Sequence, residues 1–182
     1  MKYIKTLETY LGRNDIYAKT SLTDEEFDEA CHLCAEELAA EFDGKIKPEH
    51  IYNDIVSSDK TLSTALFLKE NNKMIGAIIC SATTLDETIS YYKNRKIRWF
   101  ADPKDFTGNG LEGIAMSIRQ EYRGGFAILK LKEALNNLSG FDYLVIQQYE
   151  TLKSNINYLS KGSVKICQIV SKDSIIIYAS KL

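Results

Sequence analysis

The sequence is poor in proline, histidine and tryptophan, and it has no long hydrophobic run. Its 182 residues include two prolines, two histidines and one tryptophan. Without a linker, a repeat or a low-complexity tract, the chain is expected to form one domain over residues 1–182, with residues 1–14 as an N-terminal extension. The apolar runs are strand-sized and fall well short of the roughly 20 residues that span a bilayer. The start also lacks a signal-peptide pattern, so a cytoplasmic protein with no membrane partner is expected.

The sequence also has no large excess of acidic or of basic residues. The formal net charge is −2, with acidic and basic residues interspersed along the chain. This balance gives no general attraction to nucleic acid, so no nucleic-acid partner is expected. The two histidines, His32 and His50, have no clustered partners, which argues against a metal site or a Ser-His-Asp triad.

The four cysteines do not have the spacing of a zinc site. Two of them form a Cys-x-x-Cys pair inside a predicted helix, and the other two stand alone in predicted strands. A structural zinc site would need a second close pair. We therefore expect no metal and predict buried, reduced thiols at Cys31, Cys34, Cys80 and Cys167.

Hydrophobic periodicity predicts an α/β (α+β) fold with a mixed, largely antiparallel central sheet flanked by helices. Thr23 and Glu26 have the spacing of a capping box at the start of the first helix. One β-α-β step, from 111–118 to 143–148, predicts a parallel strand pair with a right-handed crossover. Residues 85–110 are interpreted as a loop. The predicted strands are 15–19, 65–69, 73–81, 111–118, 143–148, 164–170 and 174–179, and the predicted helices are 23–43, 49–57, 126–138 and 152–160.

The turn between the predicted strand 111–118 and the helix that follows carries the clearest chemical signal. Glycines come soon after the strand, so the backbone can turn tightly and a ligand can approach its N–H groups. The first N–H groups of a helix lack internal partners and lie at the positive end of the helix dipole. This arrangement suits a pyrophosphate, although a simple tight turn without a ligand remains an alternative.

The same stretch, Met116-Ser-Ile-Arg-Gln-Glu-Tyr-Arg-Gly-Gly-Phe-Ala127, resembles motif A of the GNAT (GCN5-related N-acetyltransferase) superfamily. In that motif a strand ending in Val-x-Pro is followed by Glu-Tyr-Arg-Gly, a glycine turn and a helix. The resemblance implies an acyl-CoA N-acyltransferase fold, acetyl-CoA as acyl donor and an amine as acceptor. The cofactor-binding residues it implies are Ile118, Arg123, Gly124, Gly125, Phe126 and Ala127.

Two further residues are candidates for catalysis. Tyr158 resembles the family's tyrosine that protonates the departing thiolate, although a packing role for its ring stays open. Glu112 lies on the strand that would approach the thioester and, by period-two counting, on the same face as Ile118. It is a candidate base, with a solvated strand-end carboxylate as the alternative.

Two classes of function stay open at this point. The first is an enzyme that transfers an acetyl group from acetyl-CoA to an amine of a small molecule or peptide. The second is a non-catalytic GNAT-like domain that binds CoA or a protein partner, which is favoured by a turn one residue shorter than usual. Use of longer acyl groups and assembly as a homodimer also stay open. An aromatic set could line an acceptor pocket or pack in the core (Tyr91, Tyr92, Trp99 and Phe100).

Overall fold

The computed structural model describes residues 13–42, 45–57, 62–123, 126–150, 163–172 and 174–182. The predicted helix 152–160 lies outside these ranges. The described helices are α1 (Asp24–Glu41), α2 (Pro48–Ser57), α3 (Leu85–Ser90) and α4 (Ala127–Asn136). The strands are β1 (Ile16–Lys19), β2 (Leu62–Leu68), β3 (Met74–Thr83), β4 (Lys96–Trp99), β5 (Gly110–Ile118), β6 (Tyr143–Tyr149), β7 (Val164–Val170) and β8 (Ile175–Lys181).

Local sequence signals set several element ends. The capping box predicted for α1 is confirmed, since the Glu26 amide donates to Thr23 Oγ1 at 3.2 Å and the Thr23 amide donates to Glu26 Oε2 at 2.8 Å. Asn72 adopts a left-handed backbone with φ of 55° in the turn between β2 and β3. Asparagine tolerates that conformation better than most residues, so the predicted hairpin is confirmed.

Within the described residues, eight strands form one sheet in the order β1-β2-β3-β5-β6-β8-β7-β4. Neighbouring strands are antiparallel except for β5 and β6, which run parallel. The parallel step predicted from the β-α-β pattern is therefore confirmed, as is the mixed and largely antiparallel sheet.

Helices cover the two faces of the sheet differently. On one face, α4 packs Leu131 and Leu135 against a core that includes Leu111, Ile118 and Leu144. On the opposite face, α1 and α2 cover β2 and β3 through a second cluster. None of the helices in the described ranges is long and apolar enough to cross a membrane.

The interpretation of residues 85–110 as a loop is wrong, because this stretch contains α3 and the edge strand β4. We call residues 84–109 the strap. The strap leaves the end of β3, pairs with β7 through β4, and returns to β5. It is anchored on Tyr143, whose hydroxyl accepts a 2.8 Å hydrogen bond from the Leu85 amide and whose ring packs edge to face against Phe106. The strap thereby covers the face opposite α4 over β6, β7 and β8.

Candidate active site

A β-bulge in β5 marks the centre of the candidate site. Ile79 pairs with Ala115 and the next residue, Cys80, pairs with Gly113, so Ile114 is an extra residue in β5. A bulge bends its strand and increases the local twist. The parallel pairing of β5 with β6 extends from Gly110 to Gly113, and among the described residues no such pairing continues along 114–118. The two strands therefore diverge and leave a cleft bordered by backbone N–H and C=O groups.

The bulge also changes which face of the sheet the preceding residues occupy. Their side chains point to the face opposite to the one that period-two counting from Ile118 predicts. Leu111 packs in the same cluster as Ile118, although the two residues are an odd number of positions apart along the strand. Glu112 therefore faces the opposite side, where its parallel partner Val145 packs under the strap. The prediction that Glu112 and Ile118 share a face is wrong, because period-two counting does not hold across an inserted residue.

Glu112 is held in a hydrogen-bonded network at the base of the cleft. Thr88 Oγ1 donates to Glu112 Oε2 at 3.2 Å, and Gln147 Nε2 donates to Glu112 Oε1. The Tyr92 hydroxyl donates to Gln147 Oε1 at 2.5 Å, which fixes the orientation of the Gln147 amide. Sequence reasoning missed Thr88 and Gln147. The capping-box spacing of Thr84 and Glu87 was a signal for α3, and α3 carries Thr88.

Burial keeps Tyr92 protonated as a donor in this network. Loss of hydration raises the pKa of Tyr92 to about 12, and the neighbouring Tyr149 and Glu112 act in the same direction. Of the aromatic set singled out in the sequence, Tyr92 alone enters this network. The other three rings are exposed by 44–86% and are not core residues.

The residues predicted to bind the cofactor begin at the end of β5. Ile118 is buried, and its carbonyl accepts a 2.8 Å hydrogen bond from Arg123 Nε. The guanidinium of Arg123 also forms a 2.7 Å ion pair with Glu37 of α1. Arg123 therefore ties the turn to α1 and to the end of its own strand, a role that the motif did not reveal.

The start of α4 follows this turn. Phe126 occupies the N-cap position and Ala127 is the buried first residue of the helix. Whereas α1 and α3 begin with capping boxes, no side chain forms a cap hydrogen bond at the described start of α4. The first N–H groups of a helix can then bind an anion. The predicted residues Gly124, Gly125 and Tyr158 lie outside the described residues.

The remaining predicted features concern cysteines and histidines. All four cysteines are free and buried, which confirms the prediction. His32 is on the surface and stacks on the ring of Tyr52, and His50 is exposed on α2. In the part of the chain that the structure describes, no group of three or more histidine, cysteine, aspartate or glutamate residues is placed to hold a metal ion.

Comparison with known proteins identifies the fold. Neither a protein-family model nor a curated protein sequence matches the chain. Solved structures do match. One is a protein of the yellow fever mosquito, Aedes aegypti, described as an arylalkylamine N-acetyltransferase, with a TM-score of 0.64, 12% identity and coverage of 91% of this chain and 87% of that one.

Two further matches come from a bacterium and a plant. A GNAT-family acetyltransferase of Streptococcus agalactiae has a TM-score of 0.59 and 13% identity, covering 92% of this chain and 95% of that one. Arabidopsis thaliana NAA60 in complex with acetyl-CoA has a TM-score of 0.55 and 10% identity, covering 92% and 98%. The chain therefore has the fold of the GNAT acyl-CoA N-acyltransferases.

Proposed function

We propose that this protein is an acyl-CoA-dependent N-acyltransferase that moves an acetyl group from acetyl-CoA to an amine of a small molecule or peptide. The observation that carries the proposal is the cleft between β5 and β6, with the start of α4 at its outer end and Glu112 at its base. This arrangement, in the fold of known N-acetyltransferases, offers separate places for a phosphate group and for proton transfer.

The residues present fit an acyl-CoA. The turn at 124–127 would hold the pyrophosphate through backbone N–H groups, with Arg123 and Ile118 keeping the turn in place. The bordering backbone groups of 114–118 could bind the amides of the pantetheine arm. The bound donor would supply a thioester that carries the acetyl group.

The chemistry requires two proton movements by residues of this chain. Glu112 would accept a proton from the ammonium of the acceptor, and the freed amine nitrogen would attack the thioester carbon. A C–N bond forms, the C–S bond breaks and the CoA thiolate leaves, and the nitrogen releases its second proton to solvent as the amide forms. Tyr158 would donate a proton to that thiolate, as the family resemblance implies.

The test is a thermal shift with acetyl-CoA, followed by an assay of free-thiol release over a panel of amines. A ligand that binds only the folded state raises the melting temperature by mass action. The variant Gly125→Asp should abolish the shift, because a carboxylate next to the pyrophosphate repels it. Asn94→Asp introduces the same charge at an exposed turn of the strap and serves as the matched control.

Two results would count against the proposal in different ways. An unchanged melting temperature at millimolar acetyl-CoA would refute acyl-CoA binding. A clear shift without thiol release for any amine would favour the alternative, a CoA-binding domain without turnover. The turn that is one residue shorter than usual is the sequence feature that favours this alternative.

A further inference from the structure

The strap completes a polar site on the face opposite α4. It contributes Thr88 and Tyr92, which hold Glu112 and Gln147 of the sheet by hydrogen bonds. The predicted pyrophosphate turn leads into α4, which packs on the other face. A donor that enters from the α4 side and an acceptor that enters from the strap side would therefore meet at the bulge in β5.

Among the described residues, the carboxylate in this site has hydrogen-bond donors but no countercharge. Both hydrogen bonds that described residues donate to Glu112 come from neutral groups, the Thr88 hydroxyl and the Gln147 amide. Among the described residues, no lysine or arginine forms a salt bridge with it. Each carboxylate oxygen has two acceptor positions, so one on each oxygen remains for a ligand. A half-buried carboxylate without a countercharge favours a cationic ligand.

Two aromatic rings lie further along β6, on the face of the sheet that carries Gln147. Tyr149 follows Gln147 by two residues on β6, so both side chains point to the same face. The Tyr149 ring is 43% exposed, and the ring of Phe42, at the end of α1, lies edge to face with it at 6.3 Å between centroids. Aromatic faces attract cations and also pack against apolar groups.

We propose that Glu112 and Gln147, held by Thr88 and Tyr92, bind the ammonium group of the acceptor, and that the acceptor is a primary amine with an apolar or aromatic body lying against Tyr149 and Phe42. This inference rests on the proposed acyl transfer and names its second substrate. The strap thereby determines acceptor choice, because it supplies two of the four polar groups.

The experiment measures amine binding without turnover. Calorimetry with phenethylamine is performed on the full chain, with and without CoA, and is compared with 2-phenylethanol, which has the same ring but no ammonium. We expect the amine to bind and the alcohol to bind at least 10-fold more weakly, because a hydrogen bond between charged groups is lost. Spermidine, which has ammonium groups but no aromatic body, should bind more weakly than phenethylamine.

Variants assign the effect to the site. Glu112→Gln should weaken phenethylamine binding roughly 10–100-fold, in line with loss of a charge-assisted hydrogen bond, and should leave alcohol binding unchanged. Glu70→Gln makes the same change in the exposed turn between β2 and β3 and is the matched control. Tyr92→Phe should weaken amine binding by a smaller factor, roughly 3–10-fold, because it frees the Gln147 amide to rotate.

The outcomes separate this inference from the proposed function. Equal binding of amine and alcohol to the wild-type chain, or tighter binding of spermidine than of phenethylamine, would overturn the inference even if Glu112→Gln failed to fold. Equal amine affinity in wild type and Glu112→Gln would also overturn it. In either case, an intact thermal shift with acetyl-CoA would leave acyl transfer standing, whereas loss of that shift would contradict the proposed function itself.

Discussion

Replacing Glu37 by glutamine should loosen the turn that is predicted to hold the pyrophosphate. Glu37 lies on α1 and pairs with Arg123 at 2.7 Å, and Arg123 directly precedes the turn. Arg123 also donates to the Ile118 carbonyl. The glutamine oxygen can still accept a hydrogen bond from the guanidinium, but the charge of the pair is lost, so the contact of Arg123 with α1 is weakened while its contact with its own strand stays.

The expected magnitude follows from the burial of the pair. The side chains of Arg123 and Glu37 are 27% and 19% exposed, so neither the fully exposed nor the fully buried limit applies. Exposed ion pairs contribute about 0.2–1 kcal/mol, and removal of one partner from a buried pair costs about 3–5 kcal/mol. We expect Glu37→Gln to lower the free energy of unfolding by about 1–2 kcal/mol. Acetyl-CoA affinity should fall roughly 3–10-fold, equal to about 0.6–1.4 kcal/mol.

The assay is urea denaturation of Glu37→Gln, Arg123→Lys and the double variant, combined as a double-mutant cycle. Lysine cannot form both contacts of the arginine fork, so Arg123→Lys tests the same tie. The exposed pair of Lys73 and Glu121, with side chains 44% and 48% exposed, provides the matched control. Glu121→Gln should cost no more than about 0.5 kcal/mol. A coupling energy between Glu37 and Arg123 no larger than that would refute the reasoning.

Three further predictions address other parts of the molecule. Thr23→Ala should lower the free energy of unfolding by about 1 kcal/mol in urea, because the capping box of α1 is lost, whereas Thr23→Ser should keep it. Tyr158→Phe should reduce turnover roughly 10²–10⁴-fold with little change in the Michaelis constant for acetyl-CoA, and wild-type turnover would reduce Tyr158 to a packing residue. Burial raises the pKa of Cys80 to about 12 and of Cys167 to about 11, from 9.0. Above pH 9 these thiols lose their protons in the unfolded chain at a lower pH than in the folded chain. The free energy of unfolding should therefore fall as the pH rises, by up to about 1.4 kcal/mol per pH unit for each thiol. Urea denaturation between pH 8 and 10.5 should show this fall, and Cys80→Ala should reduce it; an equal slope in that variant would contradict the assignment.

Features that depend on short stretches of chain could be predicted from the sequence. Thr23 and Glu26 set the start of α1, because their contacts lie within one helical turn and need nothing else from the fold. The hairpin at Asn72 and the β-α-β step have the same local origin. The resemblance of the motif around Arg123 to motif A likewise predicted the fold, because the residues that carry the resemblance are contiguous in the sequence.

The candidate site itself was decided by tertiary structure. The bulge at Ile114 turns Glu112 to the face opposite Ile118, and its position follows from the pairing of β5 with β3 rather than from β5 alone. The partners of Glu112 come from 24 and 35 residues away, and Glu37 meets Arg123 across 86 residues. The periodicity of one segment indicates which of its faces is apolar, but it does not indicate which distant segment will cover that face. Residues 84–109 illustrate the difference. Their order of charges and aromatics left them without a clear pattern, and pairing with β7 together with packing on Tyr143 turned them into a strap across the sheet.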